Sequence, residues 1–429
     1  MQGQIMKISE KLEKVFDPVI SVENDFLYTL PFYDLYPELK KLSTINWNFS
    51  DAKTDSLTHG LHPYPAKFIP QIPHPLIKEL SSPGETVGDI FLGSGTTLVE
   101  ALSLRRNAVG IDANPLACLI SAAKTTRFHD GDEEILRTIV KRAQNLDSIL
   151  SKEGMKLFDS APFTSKAWRP SDKAISFWFE PIVIEELAEA LSWCLELPSE
   201  TSRKVALVAL SAIIVSVSKQ DSDTRYVRRQ KNLIRGAVSR RFAKSLTDAI
   251  TSVSEFTKLT EPHLTCNIYQ ANVLEKPNIG MLDLVVCSPP YPNAYSYHLY
   301  HMTRMLWIGM DQPKFKREEI GSHRKYSSKG SNAATVDTFR NELKNIFEWL
   351  YKHLRYNRYA CFVVGDSTIK GNKISNANLI SDIAREYGFY EVKRLYRQIQ
   401  KNKKSFNPAI GKIKEEQILI LQNKNKTSI

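Results

Sequence analysis

The chain lacks the marks of a metal-bound, secreted or membrane-spanning protein. Its five cysteines, Cys118, Cys194, Cys266, Cys287 and Cys361, are scattered, with no CxxC pair and no histidine at zinc-ligand spacing. That pattern excludes the familiar zinc frameworks and reads as reduced thiols in a cytoplasmic protein. The opening MQGQIMKISEKLEKVF has no apolar core of the signal-peptide kind. The longest apolar run, residues 205–217, is too short to cross a bilayer and is expected to be a buried helix. Internal repeats and low-complexity tracts are absent as well. What remains is ordinary globular composition: 429 residues, 42% hydrophobic and 24% charged, enough for one large or two medium domains. The formal net charge of +11 points toward an anionic partner, since clustered Lys and Arg gain affinity for phosphates by releasing counterions.

Periodicity divides the chain. Residues 1–55 mix charge and aromatics without a period and are expected to form an N-terminal extension packed on the rest. From Glu85 the sequence alternates as strand, glycine-rich turn, helix and strand (ETVGDIF, LGSGTT, LVEALSLRRN, AVGIDANP), the pattern of a βαβ unit in a parallel sheet. Residues 116–264 carry helical periodicity, as in EELAEALSWCLEL and RKVALVALSAIIVSVS, and no clean strand run. Strand-like segments return in CNIYQANV, LDLVVCSPPY, YACFVVGDS, YEVKRLYRQI and EEQILILQ, with helices near Asp337–His353 and Asn376–Tyr387. The expected architecture is α/β, Rossmann-like, with about seven mostly parallel strands and helices on both faces. Residues 56–115 and 265–429 would form the sheet domain, split by an inserted helical domain at 116–264. The polar, basic stretch 310–335 reads as a mobile loop.

Two constellations carry chemistry. Asp89, Phe91, Gly93, Ser94, Gly95, Thr96 and Thr97 lie at the end of one strand, and Asp112 ends the next. Glycines permit a tight turn close to a ligand, and an acidic residue some twenty positions later can accept from ribose hydroxyls. The spacing is not GxGxxG and no lysine stands in P-loop register, so a nucleoside without phosphates fits better than a dinucleotide or nucleoside triphosphate. The second constellation, Ser288, Pro289, Pro290 and Tyr291, follows the apolar strand Leu284, Val285, Val286 and Cys287. Two prolines stiffen the chain and present a hydroxyl, carbonyls and a ring at the carboxyl edge of the sheet.

These motifs resemble the amino-group DNA methyltransferases, whose cofactor motif is similar to DPFxGSGTT and whose catalytic motif is similar to (D/N/S)PP(Y/F/W); a leading Ser resembles the N4-cytosine branch. The stretch HGLHPYPAKF, residues 59–68, resembles the segment that closes over the methionine end of the cofactor in one branch, and SPPYPNAYSYHLYHMTRMLWIG is similar to that branch too. Resemblance covers roughly 59–115 and 265–421. It implies an S-adenosylmethionine-dependent methyltransferase acting on N4 of cytosine in duplex DNA after base flipping, with Tyr64, Pro65, Lys67, Asp112 and Asn272 joining the glycine loop in holding the cofactor. Asn272 stands where the family often has an acidic residue, and Ile90 where it usually has Pro. By the same resemblance Ser288 and Pro289 accept hydrogen bonds from the amine and Tyr291 stacks on the base. The implied setting is a restriction-modification system or a solitary methylase, with a cognate endonuclease as a partner in the former and with neither metal nor membrane. N6-adenine methylation is the second reading, an RNA amino-group methyltransferase the third, and an inactive DNA-binding module the fourth.

Residues 219–244 hold nine basic and two acidic side chains. Arg225, Tyr226, Arg228, Arg229 and Lys231 are the candidate DNA contacts, against the alternative of a solvated helix face. Segments 314–329 and 393–404 are weaker candidates for backbone contacts. His59 and His62 read equally as lid groups or packed residues, Asp366 as a turn residue, Phe177-Trp178-Phe179 as core, and Cys287 as facing the core.

Overall fold

The computed structural model describes residues 36–151, 163, 167–171, 173–292, 295–327, 333–369, 371–399 and 415–425. Residues 46–429 form one compact unit. Residues 1–45 cluster separately, and their described part holds the helix Pro37–Ser43. The expectation for the N-terminal extension falls mostly outside the described residues.

Eleven strands are described: β1 Thr86–Asp89, β2 Asn107–Asp112, β3 Gln220–Ser222, β4 Arg225–Arg228, β5 Cys266–Gln270, β6 Leu282–Cys287, β7 Leu354–Gly365, β8 Ser367–Ile369, β9 Asn372–Ile374, β10 Phe389–Gln398 and β11 Glu415–Asn423. Seven make one sheet in the order β10-β11-β7-β6-β1-β2-β5. The run from β5 to β7 is parallel, and β11 is antiparallel to both β7 and β10. The expected seven-stranded, mostly parallel α/β sheet is therefore present. Strand order reverses at β1, which leads to β2 on one side and lies beside β6 on the other. Ligands of open α/β sheets bind outside the carboxyl ends of the strands at such a switch point.

Leu284, Val285, Val286 and Cys287 are all fully buried, so both faces of β6 are covered, as a parallel sheet requires. Helices Val336–His353 and Asn376–Glu386 share a core with strand residues Val285, Phe362 and Leu419. Helices Pro73–Leu80, Thr96–Ser103 and Pro115–Lys124 also pack on the strands. Asn114 caps the last of these by accepting from the Leu116 N–H at 3.0 Å, and Pro115 starts it without needing a donor.

Between β2 and β5 run helices Asp132–Leu150, Lys173–Trp178, Pro181–Leu195, Glu200–Val217 and Ala237–Leu259. The apolar run at 205–217 is a buried helix, with Val205, Ala206, Val208 and Ile214 fully enclosed. The same apolar cluster takes in Met305, Trp307 and Phe315 from the segment after the double proline, so these helices are welded to that segment by shared burial. Two expectations change here. The helical stretch contains a strand pair, β3 and β4, too short to show a period. Residues 310–335 are not simply a loop: helices Gln312–Glu318 and His323–Ser327 occupy much of the segment. Asp311 caps the first by accepting from the Lys314 N–H at 2.9 Å.

Candidate active site

The chain after β1 turns through Ile90 to Gly95 into helix Thr96–Ser103. Leu92 N–H donates to Ile111 O at 3.0 Å and Gly95 N–H to Leu92 O at 2.9 Å. Gly93 and Gly95 have φ of 49° and 74°, the left-handed region that side chains resist. Ser121 Oγ donates to Gly93 O at 3.2 Å, pinning the loop to the helix after β2. Ile90, at the position where the resemblance has Pro, is buried. Asp112 ends β2 beside this loop: one oxygen accepts from Gly93 N–H and the other from Asn114 N–H, both at 2.8 Å. Burial pushes its carboxyl up to about 6, opposed by those two N–H groups. Asp89 is pushed up by burial to about 7, opposed by Thr97 and the Phe91 N–H. Asp89 Oδ2 and Ser94 Oγ are buried without a hydrogen-bond partner. Native interiors seldom leave such atoms unsatisfied, so the loop has polar capacity to spare.

Residues 59–68 lie against this loop. Glu100, on the helix that the loop enters, accepts from His59 at 2.7 Å and from His74 at 2.6 Å. His62 bridges Pro63 O at 2.7 Å and Ser211 Oγ at 2.9 Å. Both histidines of the segment are thus buried anchors, the packing alternative. Lys67 donates its ammonium to His59 O at 2.9 Å, which ties the segment to itself, and Pro65 is buried next to it. Tyr64 faces the glycine loop, its ring carbon 3.6 Å from where a Cβ on Gly93 would stand. Its hydroxyl accepts from Asn114 at 3.4 Å, and its ring stacks on Tyr297 at 5.7 Å between centroids. Asn272 lies two residues past the end of β5 and caps the short turn Val273–Glu275. Its amide is committed to capping, accepting from Leu274 N–H at 3.0 Å and donating to Glu318 O at 3.3 Å.

The double proline sits at the carboxyl end of β6, beside β1. Thr97 Oγ1 donates to Val286 O at 3.0 Å and so joins the two motifs directly. Ser288 Oγ donates to Val363 O at 3.0 Å, and Tyr291 OH donates to the same carbonyl at 3.2 Å. Both hydroxyls lie within donating reach of β7, and Tyr291 OH is also hydrogen-bonded by the Ser288 side chain and the Gly365 backbone. Cys287 is fully buried, and burial raises its thiol well above the ordinary range, so it faces the core and is no nucleophile. A Cβ on Gly321 would stand 2.9 Å from Tyr291 O, so the chain there closes tightly over the motif. Glu319 accepts from Tyr297 N–H and pairs with His298 Nδ1 at 2.6 Å; Ser296 and Ser322 hydroxyls meet at 3.0 Å. Glu319 had no sequence signal, lying among lysines in a segment that reads as loop.

The basic stretch at 219–244 is not a helix face but begins as the hairpin β3–β4. Gln220 donates to Tyr300 O at 3.2 Å and accepts from Thr303 at 2.9 Å, while the fully buried Arg304 pairs with Asp223. The hairpin is therefore clamped to the segment that follows the double proline. Tyr226 lies edge-on to Tyr300 at 5.8 Å, and Arg324 stands over its ring at 5.9 Å. Arg225 and Arg229 both pair with Asp221 at 3.3 Å, Arg228 covers Phe177 at 4.9 Å, and Lys231 donates to Val215 O at 2.8 Å. Farther on, Arg240 is engaged by Asp147, Arg241 by Ser216 and Lys244 by Asp248. Phe177 is exposed whereas Trp178 and Phe179 are buried, and Asp366 pairs with Lys373 at 2.8 Å in the turn reading. Parts of the weaker basic candidates, residues 328, 329 and 400–404, lie outside the described residues. Among the described residues, no group of three or more His, Cys, Asp or Glu is placed to hold a metal ion, and no helix is long and apolar enough to cross a membrane.

A family model described as DNA methylase matches residues 10–123, which include β1, the glycine loop and β2. The chain is 24% identical over 433 aligned positions to the Type II methyltransferase M.MjaII of Methanocaldococcus jannaschii, with 81% of each chain covered. It is also 24% identical over 431 positions to the Type II methyltransferase M.MvaI of Kocuria varians, covering 87% of this chain and 93% of that one. Among solved structures, the rRNA methyltransferase aviRa from Streptomyces viridochromogenes aligns at a TM-score of 0.31 and 10% identity, covering 85% of this chain and 89% of that one.

Proposed function

We propose that this chain, similar over residues 10–123 to the DNA methylase family model and along most of its length to two Type II methyltransferases, transfers a methyl group from S-adenosylmethionine to the N4 amine of a cytosine flipped out of duplex DNA. The observation that carries this reading is the state of the Ser288 hydroxyl. It lies 3.0 Å from Val363 O, and when it donates there its lone pairs are what it offers to a base amine. An exocyclic amine conjugated with its ring is a poor nucleophile and gains electron density when its N–H groups are accepted by a fixed oxygen. Ser288 Oγ and the Pro289 carbonyl fill that role, Pro290 holds the turn rigid, and Tyr291 supplies the ring on which the flipped base stacks. The leading Ser rather than an acidic residue favours cytosine over adenine. The Type II relatives fit a restriction-modification setting, where a cognate endonuclease would be the partner.

The glycine loop fits the cofactor. Buried, partnerless oxygens on Asp89 and Ser94 and the carboxylate at the end of β2 are the polar groups of the loop, and Tyr64 packs on Gly93 within it. When bound, S-adenosylmethionine supplies an electrophilic methyl on a sulfonium. Asp112 then accepts from ribose hydroxyls with the lone pairs left over from Gly93 and Asn114, Phe91, Thr96 and Thr97 fix the loop, and Tyr64, Pro65 and Lys67 close the methionine side. Asn272 contributes through its position just beyond β5, since its amide already serves the cap. An ionised carboxylate accepts from hydroxyls more strongly than a protonated one, and burial raises the Asp112 carboxyl to about 6. Affinity for S-adenosylhomocysteine should hence be flat at high pH and weaken by up to about tenfold per unit as pH falls below that value. Asp112→Asn should weaken binding and flatten the profile; a pH-independent wild-type affinity in calorimetry removes this role from Asp112.

The helical stretch 116–264 is the proposed target-recognition domain, with Arg225, Tyr226, Arg228, Arg229 and Lys231 as its DNA contacts. Its support is the clamp of the hairpin to the segment beside Tyr291. Arg228→Ala with Arg229→Ala should lower duplex affinity and reduce the slope of log affinity against log salt by about one to two. An unchanged slope returns these residues to a solvated surface. The reaction itself is tested by incubating the protein with mixed-sequence duplex DNA and labelled S-adenosylmethionine, then identifying labelled nucleosides by mass spectrometry. N4-methylcytosine is the expected product; N6-methyladenine overturns the cytosine assignment, and absence of label in DNA overturns the reading.

A further inference from the structure

Beyond the double proline, a charged pair stands at the same edge of the sheet. The β7–β11 ladder sets Glu416 opposite Gly365, two residues past the Val363 carbonyl that holds Ser288 and Tyr291. The β10–β11 ladder sets Arg397 opposite Glu416, and Arg397 Nη1 donates to Glu416 Oε2 at 2.7 Å. Arg397 is nine-tenths buried, and its Nε–H has no acceptor. Burial raises the Tyr291 hydroxyl above its ordinary range, Glu416 raises it further and Arg397 opposes them, which puts the pair within electrostatic reach of the ring.

A pair that only clamped two strands would not need a planar fork with a donor left over. A buried N–H without an acceptor is costly, and the natural remedy is an acceptor that arrives with the substrate. The candidate is the flipped base. Cytosine presents two adjacent acceptors beside its amine, N3 and then O2, whereas adenine presents N1 and then a C–H. A guanidinium matches two parallel acceptors and meets the C–H of adenine with an unpaired donor.

We propose that Arg397, held by Glu416 beside Tyr291, reads N3 and O2 of the flipped cytosine and so determines which base receives the methyl group. This rests on the amino-group transfer proposed above and assigns the choice of base to a residue outside both motifs. Glu416 orients the fork and leaves the remaining N–H groups for the base. Sites that hydrogen-bond their substrate reject an analogue lacking the acceptor more strongly than apolar pockets can.

The test is the ratio of N4-methylcytosine to N6-methyladenine formed on mixed-sequence duplex DNA by wild type, Arg397→Gln and Arg397→Lys. Loss of fold or of cofactor lowers both products together, whereas loss of base reading changes their ratio. Expected is N4-methylcytosine from wild type, and a ratio lowered by about tenfold or more in both variants, the scale of losing one bidentate base contact. If Arg397→Gln does not fold, Arg397→Lys, which keeps a charge against Glu416 but cannot fork, carries the test. An unchanged ratio in a folded variant overturns the proposal while leaving the methyltransferase reading intact. N6-methyladenine from wild type overturns the proposal and the cytosine assignment while methyl transfer to DNA stands, and no label in DNA overturns the proposal and the methyltransferase reading together.

Discussion

Ser288→Ala is expected to slow methyl transfer by about 10²-fold or more, the scale for removing one preorganised group that acts on charge developing in a transition state. Affinity for S-adenosylhomocysteine should change by less than about threefold, because only the moving electrons of the amine use this oxygen and uniform binding does not. The loss follows from geometry. With the hydroxyl donating to Val363 O, Ser288 Oγ presents lone pairs to an amine, and alanine removes that acceptor. Tyr291 divides in two. Tyr291→Ala should cost about 1–3 kcal/mol of base stacking, read as weakened transition-state binding. Tyr291→Phe keeps the ring, gives up only the hydroxyl and its hydrogen bonds, and should cost about 1 kcal/mol. Single-turnover rates with duplex DNA, set beside cofactor affinities, check both residues. A Ser288→Ala enzyme at full rate removes the assignment.

Gly95→Ala is expected to be the most damaging conservative change in the cofactor loop. A Cβ there would lie 2.7 Å from Ser121 Oγ and 3.1 Å from Ser121 Cα, and the residue has φ of 74°. Because Ser121 is on a buried helix, a new rotamer can swing its hydroxyl aside but leaves its backbone in the way. The left-handed backbone costs about 1–2 kcal/mol for a side chain and overpacking about 1–3 more. Gly84 separates the two causes, having φ of 84° with nothing within 4 Å of an added Cβ. Gly84→Ala should show the backbone cost alone. Urea denaturation of both variants, with and without S-adenosylhomocysteine, gives the comparison. Equal destabilisation at the two positions would show that Ser121 yields, and that the loop is looser than its packing implies.

Much of the sheet was legible because its strands are apolar and flanked by turn residues. Thus β6, β7 and β11 stood out as runs, and the alternation around Gly93 marked strand, turn and helix. The hairpin β3–β4 was not legible, since strands of three and four residues are too short to show a period. They pair because Gln220 and Asp223 are held by Tyr300, Thr303 and Arg304, some eighty residues later. Helix Gln312–Glu318 had a local signal, Asp311 two residues before a proline, that the basic composition of the stretch outweighed.

The motif residues themselves followed from sequence, because glycine at a positive φ and consecutive prolines act through their own backbones and need no partner to be informative. Which of their atoms are free to act was decided by the tertiary structure. Ser288 presents lone pairs when it donates to a carbonyl 75 residues away, and Asn272 loses its amide to a helix 46 residues away. Lys67 turns inward to His59 O, and Arg225 and Arg229 share Asp221. Hydrogen-bond capacity is finite, and in this chain it is allotted by strands and helices that meet only when the sheet closes.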